Sequence, residues 1–119
     1  MEQDIKCTIE NVIKQMKEKY LTEGRDALYA DNNWHIYVAD DELLLTTPCC
    51  VTAPPGFDEE TDEEKIPNFA VKNQMDRSVL PEIFQNVIIN SLAQKNDVTN
   101  EDLVKALNYY LENDTFMIF

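Results

Sequence analysis

The stretch WHIYVADDELLLTTPCCV, Trp34 to Val51, decides the fold. Trp34, Ile36 and Val38 alternate with His35 and Tyr37, the two-residue period of a strand that buries one face. Asp40-Asp41-Glu42 follows as a charged turn, and Leu43 to Val51 returns as an apolar strand. Pro48 interrupts the return. Proline has no ladder donor, so this strand is expected to bulge there or to lie at a sheet edge. Upstream, Ala27-Leu28-Tyr29-Ala30 reads as an earlier short strand, and Asp31-Asn32-Asn33 is a cluster of turn formers that tolerate positive φ. Residues 27–52 therefore predict a small antiparallel meander joined by tight turns.

Helical periodicity frames this meander. Ile5, Ile9, Val12, Ile13, Met16 and Tyr20 recur at spacings of three and four, which predicts an amphipathic helix over 4–21 with Asp4 as N-cap. Gly24 stands where a left-handed stop belongs. Ile66-Pro67-Asn68-Phe69-Ala70 brings apolar residues back after the meander, with a short helical turn expected over 68–74. Pro81 suits the first turn of a helix over 79–95, with Ser78 or Asp76 as its cap and Ile83, Phe84, Val87, Ile88 and Leu92 as its buried face. Thr99-Asn100-Glu101-Asp102 resembles a capping box for a helix over 100–112, whose stripe is Leu103, Val104, Ala106, Leu107, Tyr110 and Leu111. Thr115 to Phe119 is too apolar for a loose tail and is expected to pair as a terminal strand or to pack into the core. The sum is one α+β domain over 1–119, with a mostly antiparallel sheet of about three to four strands packed against about three to four helices.

The charge balance is the outlier of the composition. Asp and Glu number 23 against 10 Lys and Arg, a formal −13. Such a field repels phosphate backbones and anionic membrane surfaces, and it draws in basic proteins. A purely solubilising role for the charge is the competing reading. No apolar run reaches the roughly 18 residues of a membrane span, and no secretory leader opens the chain. Cys7, Cys49 and Cys50 are an odd set, and adjacent cysteines bridge each other only with strain. A reduced, cytoplasmic protein is the expectation.

Enzymatic chemistry finds no pattern to stand on. His35 is the single histidine. A Cys49–His35 or Cys50–His35 couple is conceivable across adjacent strands, but it lacks a third member and a glycine turn for an oxyanion. Zinc lacks a C-x-x-C spacing, and nucleotide binding lacks a glycine-rich loop. Calcium fails on order: Asp58-Glu59-Glu60 and Asp62-Glu63-Glu64 are adjacent triplets with Gly56 ahead of them, where a calcium loop needs alternating ligands and a central glycine. No cofactor, metal or catalytic residue is expected.

What remains is acid displayed on a folded frame. Behind Pro54-Pro55-Gly56 the pattern stops, and residues 53–66 read as a long, solvated, mobile loop. Its Phe57, Asp58, Glu59, Glu60, Asp62, Glu63 and Glu64, with Asp40, Asp41 and Glu42 of the earlier turn, are the expected partner-binding residues. Clustered carboxylates imitate the charge array of a nucleic-acid backbone, which a Lys- and Arg-lined site holds by charge-assisted hydrogen bonds. Phe57, Trp34 and Tyr37 are natural anchors wherever they are exposed.

The segments Ala106-Leu107-Asn108-Tyr109-Tyr110-Leu111-Glu112-Asn113-Asp114-Thr115-Phe116 and Pro67-Asn68-Phe69-Ala70 resemble those of small acidic bacterial immunity proteins from toxin–immunity loci, of the contact-dependent growth inhibition type. The resemblance covers the layout of residues 27–119 and has no catalytic signature. It implies a non-enzymatic cytoplasmic protein that binds a cognate toxin domain, often a nuclease. It transfers no site residue, because such proteins bind through variable surfaces. An acidic adaptor or regulatory subunit for some other protein is the alternative.

Overall fold

The computed structural model describes residues 1–119. In chain order the elements are β1 (Ile5–Thr8), α1 (Ile9–Glu23), α2 (Arg25–Ala30), β2 (His35–Val38), β3 (Pro48–Thr52), β4 (Gly56–Phe57), β5 (Glu64–Lys65), α3 (Asn68–Lys72), β6 (Arg77–Val79), α4 (Pro81–Gln94) and α5 (Asn100–Asn113). β2 and β3 pair antiparallel, with Ile36 opposite Val51 and Val38 opposite Cys49. β1 adds outside β3 and β6 outside β2, both antiparallel, giving the order β1-β3-β2-β6. The α+β expectation holds, with five helices and a separate two-stranded ribbon of β4 and β5.

Strand alternation gives the sheet two different faces. Ile36, Val38, Cys49, Val51 and Val79 join Ile9, Val12, Ile13, Phe84, Val87, Ile88, Leu103 and Leu107 in one core of 20 buried residues. That face is covered by α1, α4 and α5. On the other face, Tyr37 and Cys50 pack with Ala70 and Met75 in a cluster of four, flanked by Ile66 and Phe69. Trp34 is fully buried just before β2, and its indole N–H donates to Asp31 Oδ1 at 2.8 Å. Neither Trp34 nor Tyr37 is therefore free to anchor a partner.

Several expectations fail, each for a local reason. The helix expected over 4–21 begins at Ile9. Residues 5–8 form β1 instead, because Ile5 and Cys7 also satisfy a period of two against Val51 and Cys49. Thr8 and not Asp4 is the N-cap, in a capping box with Asn11. Gly24 does stop α1, at φ +92, a value that favours glycine. The strand expected over 27–30 is α2, a short helix whose Leu28 alone is buried.

The return strand is shorter than expected, beginning at Pro48 in place of Leu43. Pro48 occupies the first position of a central strand, where its missing donor interrupts no ladder. Leu43 is pinned outside the strand: its N–H donates to Asn108 Oδ1 at 2.9 Å, and its C=O accepts from Asn108 Nδ2 at 2.6 Å. Ser78, expected as a cap, lies in the unforeseen strand β6. Leu80 takes the N-cap position of α4, with Pro81 in its first turn. The capping box at Thr99 and Asp102 starts α5, and Asp114 ends it at φ +58. No terminal strand forms over 115–119. Instead the Gln94 amide donates to Met117 O and accepts from Phe119 N–H, while Phe116 stacks on Tyr110 with ring centroids 5.1 Å apart. No helix is long and apolar enough to cross a membrane.

Candidate functional site

The acidic stretch is an ordered hairpin and not an irregular loop. Gly56 pairs with Lys65 and Phe57 with Glu64. The turn between them is built by Asp58. Its carboxylate accepts the N–H groups of Glu60 (2.8 Å) and Thr61 (3.3 Å), while its own N–H donates to Glu63 O at 2.8 Å. Asp62 then takes φ +59, a conformation Asp tolerates better than most side chains. An Asp side chain that hydrogen-bonds the backbone two residues on is a standard turn former. This signal was present in the sequence, but the density of charge concealed it.

Asp58, Glu59, Glu60, Asp62, Glu63 and Glu64 are all exposed, and Phe57 beside them is 69 % exposed. Asp40, Asp41 and Glu42 are exposed as well, in the bend after β2. The chain's ion pairs join the N-terminus and Lys19 to Asp31, Lys14 to Glu10, and Lys95 to Asp102. None of the carboxylates of the hairpin or the bend is among them. Their charge is uncompensated by any Lys or Arg of the chain within pairing distance.

The two acidic segments line separate grooves beside β6, the edge strand. Arg77 donates through Nη1 to the carbonyl oxygens of Asp40 (2.9 Å) and Asp41, fixing the bend by its backbone and leaving the carboxylates outward. Asp41, Glu42, Arg77, Asn108, Leu111 and Glu112 line an open groove of about 380 Å³ there. A second, larger groove of about 540 Å³ runs along β6 and is lined by His35, Glu64, Ile66, Asp76, Ser78 and Leu80. Its two carboxylates and two apolar walls match the head and stem of a Lys or Arg side chain.

The pairing of β2 with β6 sets the chemistry of this second groove. His35 Nδ1 and Ser78 Oγ are 2.9 Å apart. Burial lowers the His35 pKa below the ordinary histidine value, partly opposed by the nearby Glu64 charge. Burial thus disfavours the charged ring, which lessens its repulsion of a cation. Tyr37 is pushed up to about 12, chiefly by burial and further by Glu64, and its hydroxyl donates to Ala53 O at 2.9 Å. Ser78 and Asp76 read in the sequence only as helix caps and not as groove residues, because the three-residue strand Arg77–Val79 carries too little periodicity to be seen.

The conceivable Cys–His couple is not assembled. Cys49 faces the helices, whereas Cys50 lies opposite Tyr37 and His35 lies opposite Thr52. His35 and Ser78 are in contact, yet His35 Nε2 has no hydrogen-bond partner within the chain to orient it. The glycines, Gly24 and Gly56, lie in other elements. No three His, Cys, Asp or Glu side chains converge as a ligand set for a metal ion. The arrangement is suited to holding cationic groups.

A family model described as a domain of unknown function (DUF7716) matches residues 6–119. No curated protein and no solved structure matches the chain.

Proposed function

The chain belongs to the family described as a domain of unknown function (DUF7716), and we propose, from its acidic surface, that it is a non-enzymatic immunity protein. It binds and neutralises a cognate basic toxin domain of the nuclease kind, in the cytoplasm. The observation that carries this reading is the set of exposed carboxylates on the β4–β5 hairpin and the 40–42 bend, none of them ion-paired within the chain, beside the exposed ring of Phe57.

The physics favours a partner surface over mere solubility. A protein kept soluble by charge gains nothing from concentrating carboxylates on an ordered turn, where they repel one another. A surface made to be gripped does gain, because the Asp58 turn pre-orders the loop and reduces the entropy lost on binding. Phe57 supplies the apolar anchor that charge alone lacks. Asp40, Asp41, Glu42, Asp58, Glu59, Glu60, Asp62, Glu63 and Glu64 supply steering and salt-sensitive contacts.

The test is co-purification of the tagged chain from its native host, identification of the bound protein, and measurement of association rates over a salt series. The expected partner is a basic protein whose toxicity the chain suppresses. The association rate should fall at least about tenfold between low and high ionic strength, as electrostatic steering requires. A basic partner without toxicity would replace immunity with the acidic-adaptor role. A rate indifferent to salt would sink the acidic interface itself.

A further inference from the structure

The Sγ atoms of Cys7 and Cys49 lie 3.6 Å apart, and the acidic surface makes no use of them. The two residues stand directly opposite each other in the antiparallel register of β1 and β3. Opposed residues in such a pair hold their Cα atoms about 4.5–5.5 Å apart, within the span that a disulfide bridges without backbone movement. Both side chains point to the helix-covered face, Cys49 within the main core and Cys7 packed against it. Cys50, one residue on, points to the other face among Tyr37, Ala70 and Met75, out of reach of Cys7. Cys7 is half-buried and borders a small cavity of about 40 Å³ beside Gln15 and Met1, whereas Cys49 is fully buried.

We propose that Cys7 and Cys49 form a redox modification site, a reversible cross-strand disulfide that staples the edge strand β1 to β3. The hydrogen bond between the two sulfurs favours the thiolate at Cys7 and holds the proton on Cys49, whose burial acts the same way. Cys7 is therefore the entry thiol. Its thiolate attacks one sulfur of a low-molecular-weight disulfide, forming a mixed disulfide and expelling one small thiolate. Cys49 then attacks the Cys7 sulfur and expels the second small thiolate, which leaves with the Cys49 proton. The protein loses two electrons and the small disulfide is reduced to two thiols, so the exchange balances. Cys50, raised to about 11 by burial, takes no part.

The closed loop runs from residue 7 to residue 49 and encloses α1, α2 and β2. Closing a loop of this length restricts the unfolded chain strongly, and the expected gain in melting temperature is about 10 °C. The experiment treats the purified full chain with glutathione disulfide, counts thiols after denaturation and maps the non-reduced peptides by mass spectrometry. The expected result is one remaining thiol, a Cys7–Cys49 linked peptide, the higher melting temperature, and recovery of three thiols with dithiothreitol. Cys50→Ser should keep the bridge, and Cys7→Ser should lose it while retaining its circular-dichroism spectrum. Three thiols left free, a bridge that includes Cys50, a dimer linked through Cys7, or an oxidised chain whose melting temperature does not move would each overturn the proposal.

Discussion

The two faces of the sheet are built on the same four strands and serve different ends. On one, α1, α4 and α5 close over 20 buried residues, in which Phe84, Ile36, Leu103 and Trp34 are almost wholly hidden. On the other, Tyr37 and Cys50 are covered by the five-residue helix α3 and by Met75, and the acidic hairpin stands beside them. Because buried apolar area sets the hydrophobic contribution, the helix-covered face supplies most of the stability. The thinly covered face is free to carry unpaired charge, which a tightly packed core does not tolerate.

The sharpest way to break this contrast is to truncate one side chain on each face. Phe84→Ala should destabilise the fold by about 4 kcal/mol, in the range for a fully buried aromatic. Met75→Ala, in the smaller and more open cluster, should cost about 2 kcal/mol, near the low end for its type. Chemical denaturation of the two variants measures both. Equal costs would mean that the second face is as much a core as the first.

A smaller effect belongs to the junction before β2. Burial acts to raise the Asp31 pKa, but hydrogen bonds from the N-terminal ammonium and the Trp34 indole, with the Lys19 charge, outweigh it and leave the carboxyl below its ordinary value. A depressed carboxyl pKa contributes stability that is present above the unfolded value, about 3.9, and is lost as pH falls through the folded one. Asp31→Asn should therefore lower the stability measured at pH 7 and flatten the acid limb of the stability–pH profile below about pH 4. A variant with an unchanged acid limb would remove Asp31 from that account.

The smallest effect on stability is expected where the effect on binding is largest. Reversing Asp58, Glu59, Asp62 and Glu63 to lysine alters exposed groups with no ion pair to lose, although Asp58 also organises its turn. A variant that keeps Asp58 and reverses Glu59, Asp62 and Glu63 should shift stability by no more than about 0.5 kcal/mol per site, as exposed substitutions do. Its association with a basic partner should weaken at least about tenfold. Retained binding would move the interface off the hairpin and toward the grooves that flank β6.

Much of the fold is legible in the sequence. The buried faces of α1, α4 and α5 follow the 3.6-residue period, and the start of α5 follows from Thr99 and Asp102. Strand β2 follows from the alternation of Trp34, Ile36 and Val38 with their neighbours. The misread elements are short. Ile5 to Thr8 and Arg77 to Val79 are strands of four and three residues, and Arg25 to Ala30 is a helix of six. At such lengths a period of two and a period of 3.6 fit almost equally well, and the partner strand decides.

The acidic character of the candidate site was likewise plain in the sequence, but its form was not. Composition located the carboxylates at 40–42 and 58–64, because charge is additive along the chain and requires no geometry. The Asp58 turn, the Arg77 brace on the carbonyls of Asp40 and Asp41, and the contact of His35 with Ser78 depend on strand order and register. So does the approach of Cys7 to Cys49, which are 42 positions apart. Sequence alone determined the class of fold, the charge and the faces of the longer helices, since these rest on local periodicity and on sums. Only the tertiary structure decided which residues meet, because a pairing register joins positions whose separation leaves no mark in local pattern.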